Sequence, residues 1–157
     1  MIHPTKIKKY GGSSVASVEH ICRVAQDLVS EHQKDIPQVV VVSAMSKTTD
    51  QLMNMALQVN THPRARELDM LLTTGEQVSV SLLTMALHNL GAKAIALTGA
   101  QCGILTDGKF AQARIQNIEI AKIKRLLDDN NIVVVAGFQG ITTDHEITTL
   151  GRGGSDT

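Results

Sequence analysis

Two short, uninterrupted runs of β-branched residues limit most strictly what this chain can fold into. They are residues 39–42 (VVVV) and 132–136 (IVVVA), and polar residues interrupt neither run. Strands of this kind are buried on both faces, which is typical of a parallel sheet covered by helices. Amphipathic segments separate the runs, and this βαβα order predicts an α/β domain. We therefore expect a three-layer αβα sandwich around a mainly parallel sheet.

The other elements follow from the same periodicities. Further strands are predicted at residues 7–10, 94–97 and 147–150, the last as one arm of a hairpin. Helices are predicted from near Val15 to near His32, over 49–59, from Pro63 onward with an interruption at 73–75, and over about 115–127. Residues 98–110 are predicted to be irregular. The length of 157 residues fits one domain.

Polar loops with small residues follow four of the predicted strands. They cover residues 11–14, 43–50, 98–106 and 137–142. In an open parallel sheet, the ligand site lies at the carboxyl ends of the strands. We therefore expect these four loops to gather at one edge of the sheet and to form a site together.

Composition excludes several classes of function. Lys and Arg total 15, as do Asp and Glu, and aromatic residues make up only 2% of the chain. A neutral chain with so few stacking residues is a poor nucleic-acid binder. Cys22 and Cys102 form no metal-binding or disulfide pattern, and the six histidines show no ligand spacing, so we expect no metal held by His or Cys. No apolar run reaches the ~20 residues that cross a bilayer, which favours a cytoplasmic protein without membrane contact.

The segment KYGGSS at residues 9–14 is the first candidate site. A predicted strand leads into Gly11 and Gly12 and then into a predicted helix. Glycine lets backbone N–H groups approach an anion, a helix N-terminus adds partial positive charge, and Lys9 adds a full charge. This combination predicts a phosphate site. The alternative is a tight turn with a surface lysine, because glycine pairs are common in turns.

Three further segments carry polar groups suited to a small, charged ligand. Arg152 lies among three glycines in GRGGSD, where a guanidinium could grip a carboxylate; the alternative is a flexible tail. Glu76 begins an otherwise apolar helix and could hold an ammonium group, or act only as a partner of the helix dipole. The hydroxyl groups of residues 43–50 could bind a carboxylate or simply cap a helix.

Six blocks together resemble the amino-terminal part of the aspartate kinases, within the amino-acid kinase family. They are KYGGSSV (9–15), VVVVSAMSKTTD (39–50), RELDMLLTTGEQVS (66–79), LTGAQCGILTD (97–107), VVVAGFQGIT (133–142) and TTLGRGGSDT (148–157). The resemblance extends over nearly the whole chain and in the family's order. It implies phosphoryl transfer from ATP, with Mg²⁺, to the side-chain carboxylate of L-aspartate.

The resemblance also implies a role for each matching residue. Lys9, Gly11, Gly12 and Ser13 would contact the transferring phosphoryl group. Ser43, Thr49, Glu76, Arg152 and Ser155 would bind aspartate, with Glu76 on its ammonium and Arg152 on its α-carboxylate. Asp156 would orient the substrate or Lys9. No metal ligand is assigned to this chain.

The resemblance further implies that residues 1–157 are an incomplete domain. They would form the acceptor-substrate part, without the region that binds the base and ribose of ATP and without the regulatory ACT domains. Such a chain would have weak activity or none alone. It could instead be a non-catalytic module that binds aspartate or pairs with a separate carboxy-terminal half, or it could form a homo-oligomer. Related kinases acting on glutamate, acetylglutamate, carbamate or uridylate are disfavoured by RELDMLLTTGEQ and GRGGSD.

Overall fold

The computed structural model describes residues 4–151, which form eight strands and six helices. The strands are β1 (Lys6–Tyr10), β2 (Gln38–Val42), β3 (Ala94–Leu97), β4 (Ile104–Thr106), β5 (Ile115–Ile118), β6 (Ile132–Ala136), β7 (Gln139–Ile141) and β8 (Ile147–Thr149). The helices are α1 (Val18–His32), α2 (Thr48–Val59), α3 (Ala65–Leu72), α4 (Thr74–Asn89), α5 (Gly99–Cys102) and α6 (Ile120–Asp128).

The first sheet is entirely parallel, in the order β1-β2-β6-β3. The two valine-rich runs are its central neighbours, with Val40 opposite Val134. Every residue of β6 is buried. The prediction from uninterrupted apolar runs is therefore confirmed, since both strands have helices or other structure on each face.

Successive residues of the central strands belong to two separate cores. Val40, Val42 and Val134 pack with α1 and α4 on one face of the sheet, through side chains such as Leu28 and Leu83. On the other face, Val39, Val133 and Val135 pack with residues of α5 and α6, including Cys102, Ile123, Leu126 and Leu127. These two layers of helices around one sheet confirm the predicted αβα sandwich.

A second sheet, in the order β5-β4-β7-β8, contains both parallel and antiparallel pairs. The predicted hairpin arm near residues 147–150 is confirmed, because β8 runs antiparallel to β7. The helix predicted over 115–127 is wrong in its first part. Residues 115–118 form β5 instead, and Ile118 pairs with Ile104. The spacing of Ile115 and Ile118 fits either structure, and strand pairing overrides a local helical pattern.

The helices differ from the sequence prediction at three points. Helix α1 begins at Val18 rather than near Val15, because the Ser17 side chain accepts a hydrogen bond from the His20 N–H and caps the helix there. The one-turn helix α5 was not predicted, and Thr98 caps it in the same way. The interruption predicted at 73–75 reduces to Thr73 alone.

Helices α3 and α4 together form one long stretch, Ala65–Asn89. By length and composition it could cross a membrane, but half of its most apolar window is buried inside the fold. It also carries two buried carboxylates, Asp69 and Glu76. This stretch therefore belongs to the core of the fold, since core helices can be as long and as apolar as a membrane-spanning helix.

Candidate active site

Backbone hydrogen bonds bring three of the predicted loops together at the carboxyl edge of the parallel sheet. The Ser43 N–H donates to the Tyr10 carbonyl at 3.0 Å, and the Ser46 N–H donates to the Gly12 carbonyl at 3.1 Å. The Gly137 N–H donates to the Val42 carbonyl at 2.9 Å. The segments that follow β1, β2 and β6 therefore meet at this edge, as the topology predicted.

The fourth loop joins them through a buried glutamine. Gln139 accepts a hydrogen bond from the Gly99 N–H at 3.3 Å and donates one to the Thr73 carbonyl at 3.1 Å. A Cβ atom on Gly99 would lie 2.4 Å from the Gln139 carbonyl oxygen, so only glycine allows this approach. Gln139 thus links the segment after β3 to the junction of α3 and α4.

The glycine pair after β1 has two different surroundings. A Cβ atom on Gly12 would lie 2.9 Å from the Ala44 carbonyl oxygen, whereas no atom lies within 4 Å of the corresponding position on Gly11. Gly12 therefore fits the turn against the loop after β2, and Gly11 faces open space. Lys9 is exposed near the end of β1, and Ser13 is exposed in the turn. The assignment of these four residues to a phosphate site stays a prediction.

One part of the phosphate-site prediction is wrong. The glycines were expected to run directly into a helix N-terminus, but five residues separate Gly12 from the start of α1 at Val18. The partial positive charge of a helix falls off within its first turn. Any anion at Gly11 and Gly12 would therefore be held by Lys9 and backbone N–H groups, without a direct contribution from the first turn of α1.

The loop after β2 leaves its hydroxyl groups outside the helix cap. Lys47 occupies the N-cap position of α2, and its side chain makes no capping hydrogen bond. Ser43 and Thr49 are both half-buried in this segment. The alternative that a Ser or Thr side chain at the N-cap position starts this helix is therefore excluded.

Glu76 is the most unusual polar side chain at this edge. It is only 2% exposed, in the first turn of α4, and its Oε1 accepts a hydrogen bond from the Ala44 N–H at 3.2 Å. Its Oε2 is buried and has no hydrogen-bond partner among residues 4–151. A buried carboxylate oxygen without a donor costs free energy unless a ligand supplies one.

The surroundings of Glu76 also change its acidity. Burial raises the pKa of its carboxyl from the ordinary 4.5 to about 7, although hydrogen bonds from the backbone N–H groups of Glu76 and Ala44 oppose the rise. A carboxyl that acts only as a dipole partner would be exposed and would need no such shift. A strongly perturbed carboxyl in a loop cluster is instead typical of a ligand site.

A second buried carboxylate, Asp69, was missed by the sequence reasoning. It is 0% exposed and accepts hydrogen bonds from the Ala111 N–H, the Thr149 N–H and the Thr149 hydroxyl. The available signal was an acidic residue inside the apolar stretch LDMLL of α3. An acidic residue is almost never fully buried without partners that hold it.

The remaining predicted residues, Arg152, Ser155 and Asp156, lie outside the described residues. Within residues 4–151, no group of three or more His, Cys, Asp or Glu side chains could hold a metal ion. The described site therefore offers a lysine, a glycine turn, hydroxyl groups and one buried carboxylate. These groups can bind an anion and a cation side by side.

Comparison with known proteins identifies the family. The sequence model of the amino acid kinase family matches residues 4–157 of this chain. The chain belongs to the amino acid kinase family. Among curated members, an aspartokinase from Geobacillus stearothermophilus is 58% identical over 96% of this chain. Aspartokinase 2 from Bacillus subtilis is 52% identical over the same share. The chain spans 37% of the length of each of these two relatives.

Solved structures of the family have the same fold. Aspartate kinase from Synechocystis is 50% identical and covers 96% of this chain, which spans 25% of that chain, with a TM-score of 0.78. Aspartokinase III of E. coli, solved in complex with aspartate and ADP, is 21% identical and covers 98% of this chain, which spans 45% of it, with a TM-score of 0.79. The predicted resemblance to the aspartate kinases is therefore confirmed, and the second structure supports the fold alone.

Proposed function

We propose that this chain forms the acceptor-binding part of an aspartate kinase. The reaction transfers the γ-phosphoryl group of ATP to the side-chain carboxylate of L-aspartate and yields 4-phospho-L-aspartate and ADP. One observation carries the proposal: the buried Oε2 of Glu76 lacks a donor among residues 4–151, at the edge where the loops meet. The ammonium group of an amino acid is a donor of the required charge. The named relatives are aspartokinases, which supports aspartate as that amino acid.

The chemistry requires positioning and charge more than a catalytic base. A carboxylate with a pKa of about 3.9 is ionised at neutral pH, so it attacks phosphorus without losing a proton. The obstacle is repulsion between this carboxylate and the phosphates of ATP. Lys9 and the backbone N–H groups of Gly11 and Gly12 would offset that repulsion, and Mg²⁺ bound to ATP would contribute further charge.

Each predicted residue has a place in this proposal. Ser13 would assist the glycine turn on the phosphoryl group, while Ser43 and Thr49 would hold the acceptor aspartate beside it. Glu76 would bind the ammonium of aspartate. Three residues outside the described range complete the assignment: Arg152 on the α-carboxylate, Ser155 beside it, and Asp156 as the residue that orients the substrate or Lys9. We further propose a cytoplasmic enzyme in the biosynthesis of lysine, threonine and methionine.

Ligands that lack one group at a time test the role of Glu76. Succinate has both carboxylates of aspartate but no ammonium. We expect isothermal titration calorimetry to show tighter binding of L-aspartate than of succinate or L-glutamate. The Glu76→Gln variant should weaken L-aspartate by about 10- to 100-fold, the range expected for a hydrogen bond to a charged group, and leave succinate unchanged.

The control is Glu67→Gln, which removes an exposed carboxylate on α3. It should leave the affinity for L-aspartate unchanged. No measurable binding of L-aspartate to the parent chain would refute the proposal. An equal loss of L-aspartate and succinate in Glu76→Gln would show that Glu76 does not bind the ammonium.

A further inference from the structure

Asp69 joins three parts of the chain that are distant in sequence. Its carboxylate oxygens accept hydrogen bonds from the Ala111 N–H at 2.9 and 3.1 Å, from the Thr149 N–H at 2.8 Å, and from the Thr149 hydroxyl at 2.7 Å. All the donors are neutral, and the side chain is fully buried. A buried carboxylate held only by neutral donors depends on precise geometry, since no opposite charge offsets its desolvation.

These contacts hold the carboxyl end of β8 from two sides. Asp69 binds Thr149 directly. It also binds Ala111, which lies two positions before Ala113, the residue that pairs with Thr149 and Gly151. The Ala113 N–H donates to the Thr149 carbonyl at 3.0 Å, and the Gly151 N–H donates to the Ala113 carbonyl at 3.4 Å. Gly151 immediately precedes Arg152 in the sequence. The path of the chain into GRGGSD therefore starts from a position that Asp69 fixes.

The same helical stretch carries the proposed ammonium-binding residue. Asp69 lies in α3 and Glu76 in the first turn of α4, seven positions later. The Thr73 N–H donates to the Asp69 backbone carbonyl, and the Thr73 carbonyl accepts from Gln139. The junction between the helices is thus fixed to the second sheet. The same helical stretch therefore contacts the loop after β2 through Glu76 and the end of β8 through Asp69.

We propose that Asp69 is a positioning residue of the acceptor site. Its carboxylate fixes Gly151, the residue covalently linked to Arg152, relative to the helical stretch that carries Glu76. The ammonium and the α-carboxylate of aspartate are bonded to the same carbon atom, so the groups that bind them must keep a fixed separation. This inference rests on the proposed function, in which Glu76 and Arg152 bind those two groups.

Two variants weaken the hydrogen bonds between Asp69 and Thr149 while keeping a side chain of similar shape at each position. Asp69→Asn keeps the shape but replaces one acceptor oxygen with a donor. Thr149→Val keeps the shape and the backbone N–H and removes only the hydroxyl. The matched control is Thr148→Val, on the neighbouring position of β8. Thr148 is equally buried, and its hydroxyl bonds the Thr106 hydroxyl at 2.8 Å, away from Asp69.

The ligand series separates positioning from a general loss of stability. β-Alanine keeps the ammonium and the side-chain carboxylate of aspartate but lacks the α-carboxylate. In NMR titrations of the full chain, we expect Asp69→Asn to weaken the binding of L-aspartate about tenfold or more, the loss expected when a hydrogen bond to a charged group is no longer well aligned. The affinity for β-alanine should stay within about twofold of the parent. Thr149→Val should weaken L-aspartate selectively as well, and Thr148→Val should not.

Several results would overturn the inference. They are an unchanged affinity of Asp69→Asn for L-aspartate, an equal loss of L-aspartate and β-alanine, or a loss in Thr148→Val as large as in Thr149→Val. If Asp69→Asn does not fold, or if β-alanine does not bind the parent, the comparison of Thr149→Val with Thr148→Val decides. Failure of the parent chain to bind L-aspartate would refute the proposed function itself, and the inference with it.

Discussion

Replacing Glu76 with glutamine should stabilise the unliganded chain at alkaline pH while weakening its affinity for an ammonium group. The Glu76 carboxyl is buried, and one of its oxygens has no donor among residues 4–151. Glutamine has the same shape and keeps an oxygen that can accept from the Ala44 N–H. It cannot ionise, so it never places a charge in this position. Stability and ligand binding should therefore change in opposite directions, as often happens at functional sites.

The size of the effect follows from the pKa of Glu76. Its folded-state pKa of about 7 lies above the ordinary value of 4.5, so the protonated form favours folding. That contribution is fully present below pH 4.5 and is lost as the pH rises through about 7. One pH unit of difference corresponds to about 1.4 kcal/mol, so burying the ionised carboxylate at pH 8 costs about 3 kcal/mol. At pH 5 the cost is less than about 1 kcal/mol.

The free energy of unfolding can be measured by urea titration. The chain contains no tryptophan, so helical circular dichroism is the suitable signal. With a slope of about 2 kcal/mol per molar urea, Glu76→Gln should raise the midpoint at pH 8 by about 1.5 M. At pH 5 the same slope gives a difference between variant and parent of less than about 0.5 M. Glu67→Gln, which removes an exposed charge, should show little difference from the parent at either pH.

The comparison between the two pH values decides the outcome. A gain in stability that is equal at pH 5 and pH 8 would mean that ionisation of Glu76 is not its cause. A loss of stability at pH 8 would mean that the ionised carboxylate is well solvated or paired in the unliganded protein. Either result would refute the reasoning from burial.

Two further predictions concern the same edge of the sheet. Ammonium binding needs the ionised form of Glu76, which makes up about one-tenth of the carboxyl at pH 6 and about nine-tenths at pH 8. The Kd for L-aspartate should therefore fall about tenfold over this range. Calorimetry should show no such dependence in Glu76→Gln, and a flat profile for the parent would contradict the assignment. Gly12→Ala should destabilise the fold by about 1–3 kcal/mol in urea titrations, because its Cβ would meet the Ala44 carbonyl oxygen. The Cβ of Gly11→Ala would meet no atom, so the free energy of unfolding of this variant should stay within about 1 kcal/mol of the parent. Equal effects at the two glycines would exclude a steric cause.

The parts of the fold that sequence predicted well are those where a pattern has one physical meaning. The uninterrupted runs at β2 and β6 are stable only when both faces are covered, and the structure buries all of β6 and all of β2 except the half-buried Val41. The pattern at residues 115–118 has two meanings, because isoleucines three positions apart fit a helix turn or an edge strand. Pairing with β4 decides between them, and that contact is not visible in the local sequence.

The candidate site divides in the same way. Topology alone predicted that the loops after β1, β2 and β6 would meet, since parallel strands end at one edge. The structure adds the burial of Glu76 and its unpartnered oxygen, which depend on how closely α4 approaches Ala44. The sequence marks Asp69 as an acidic residue in an apolar stretch but does not identify its partners, Ala111 and Thr149, which are 42 and 80 positions away. Such distant contacts leave no periodic signal.

The two valine-rich strands, β2 and β6, do not by themselves determine the register of the first sheet. In a strand with one polar face, a slip of one residue exposes apolar side chains and is strongly disfavoured. β2 and β6 are apolar on both faces, so a slip between them changes little apolar burial. Bonds just beyond the strands help to fix the native register: the Gly137 N–H to the Val42 carbonyl aligns β6 with β2, and the Ser43 N–H to the Tyr10 carbonyl and the Ser46 N–H to the Gly12 carbonyl align β2 with β1. The turns proposed to hold the substrates therefore also determine which residues of the sheet lie opposite one another.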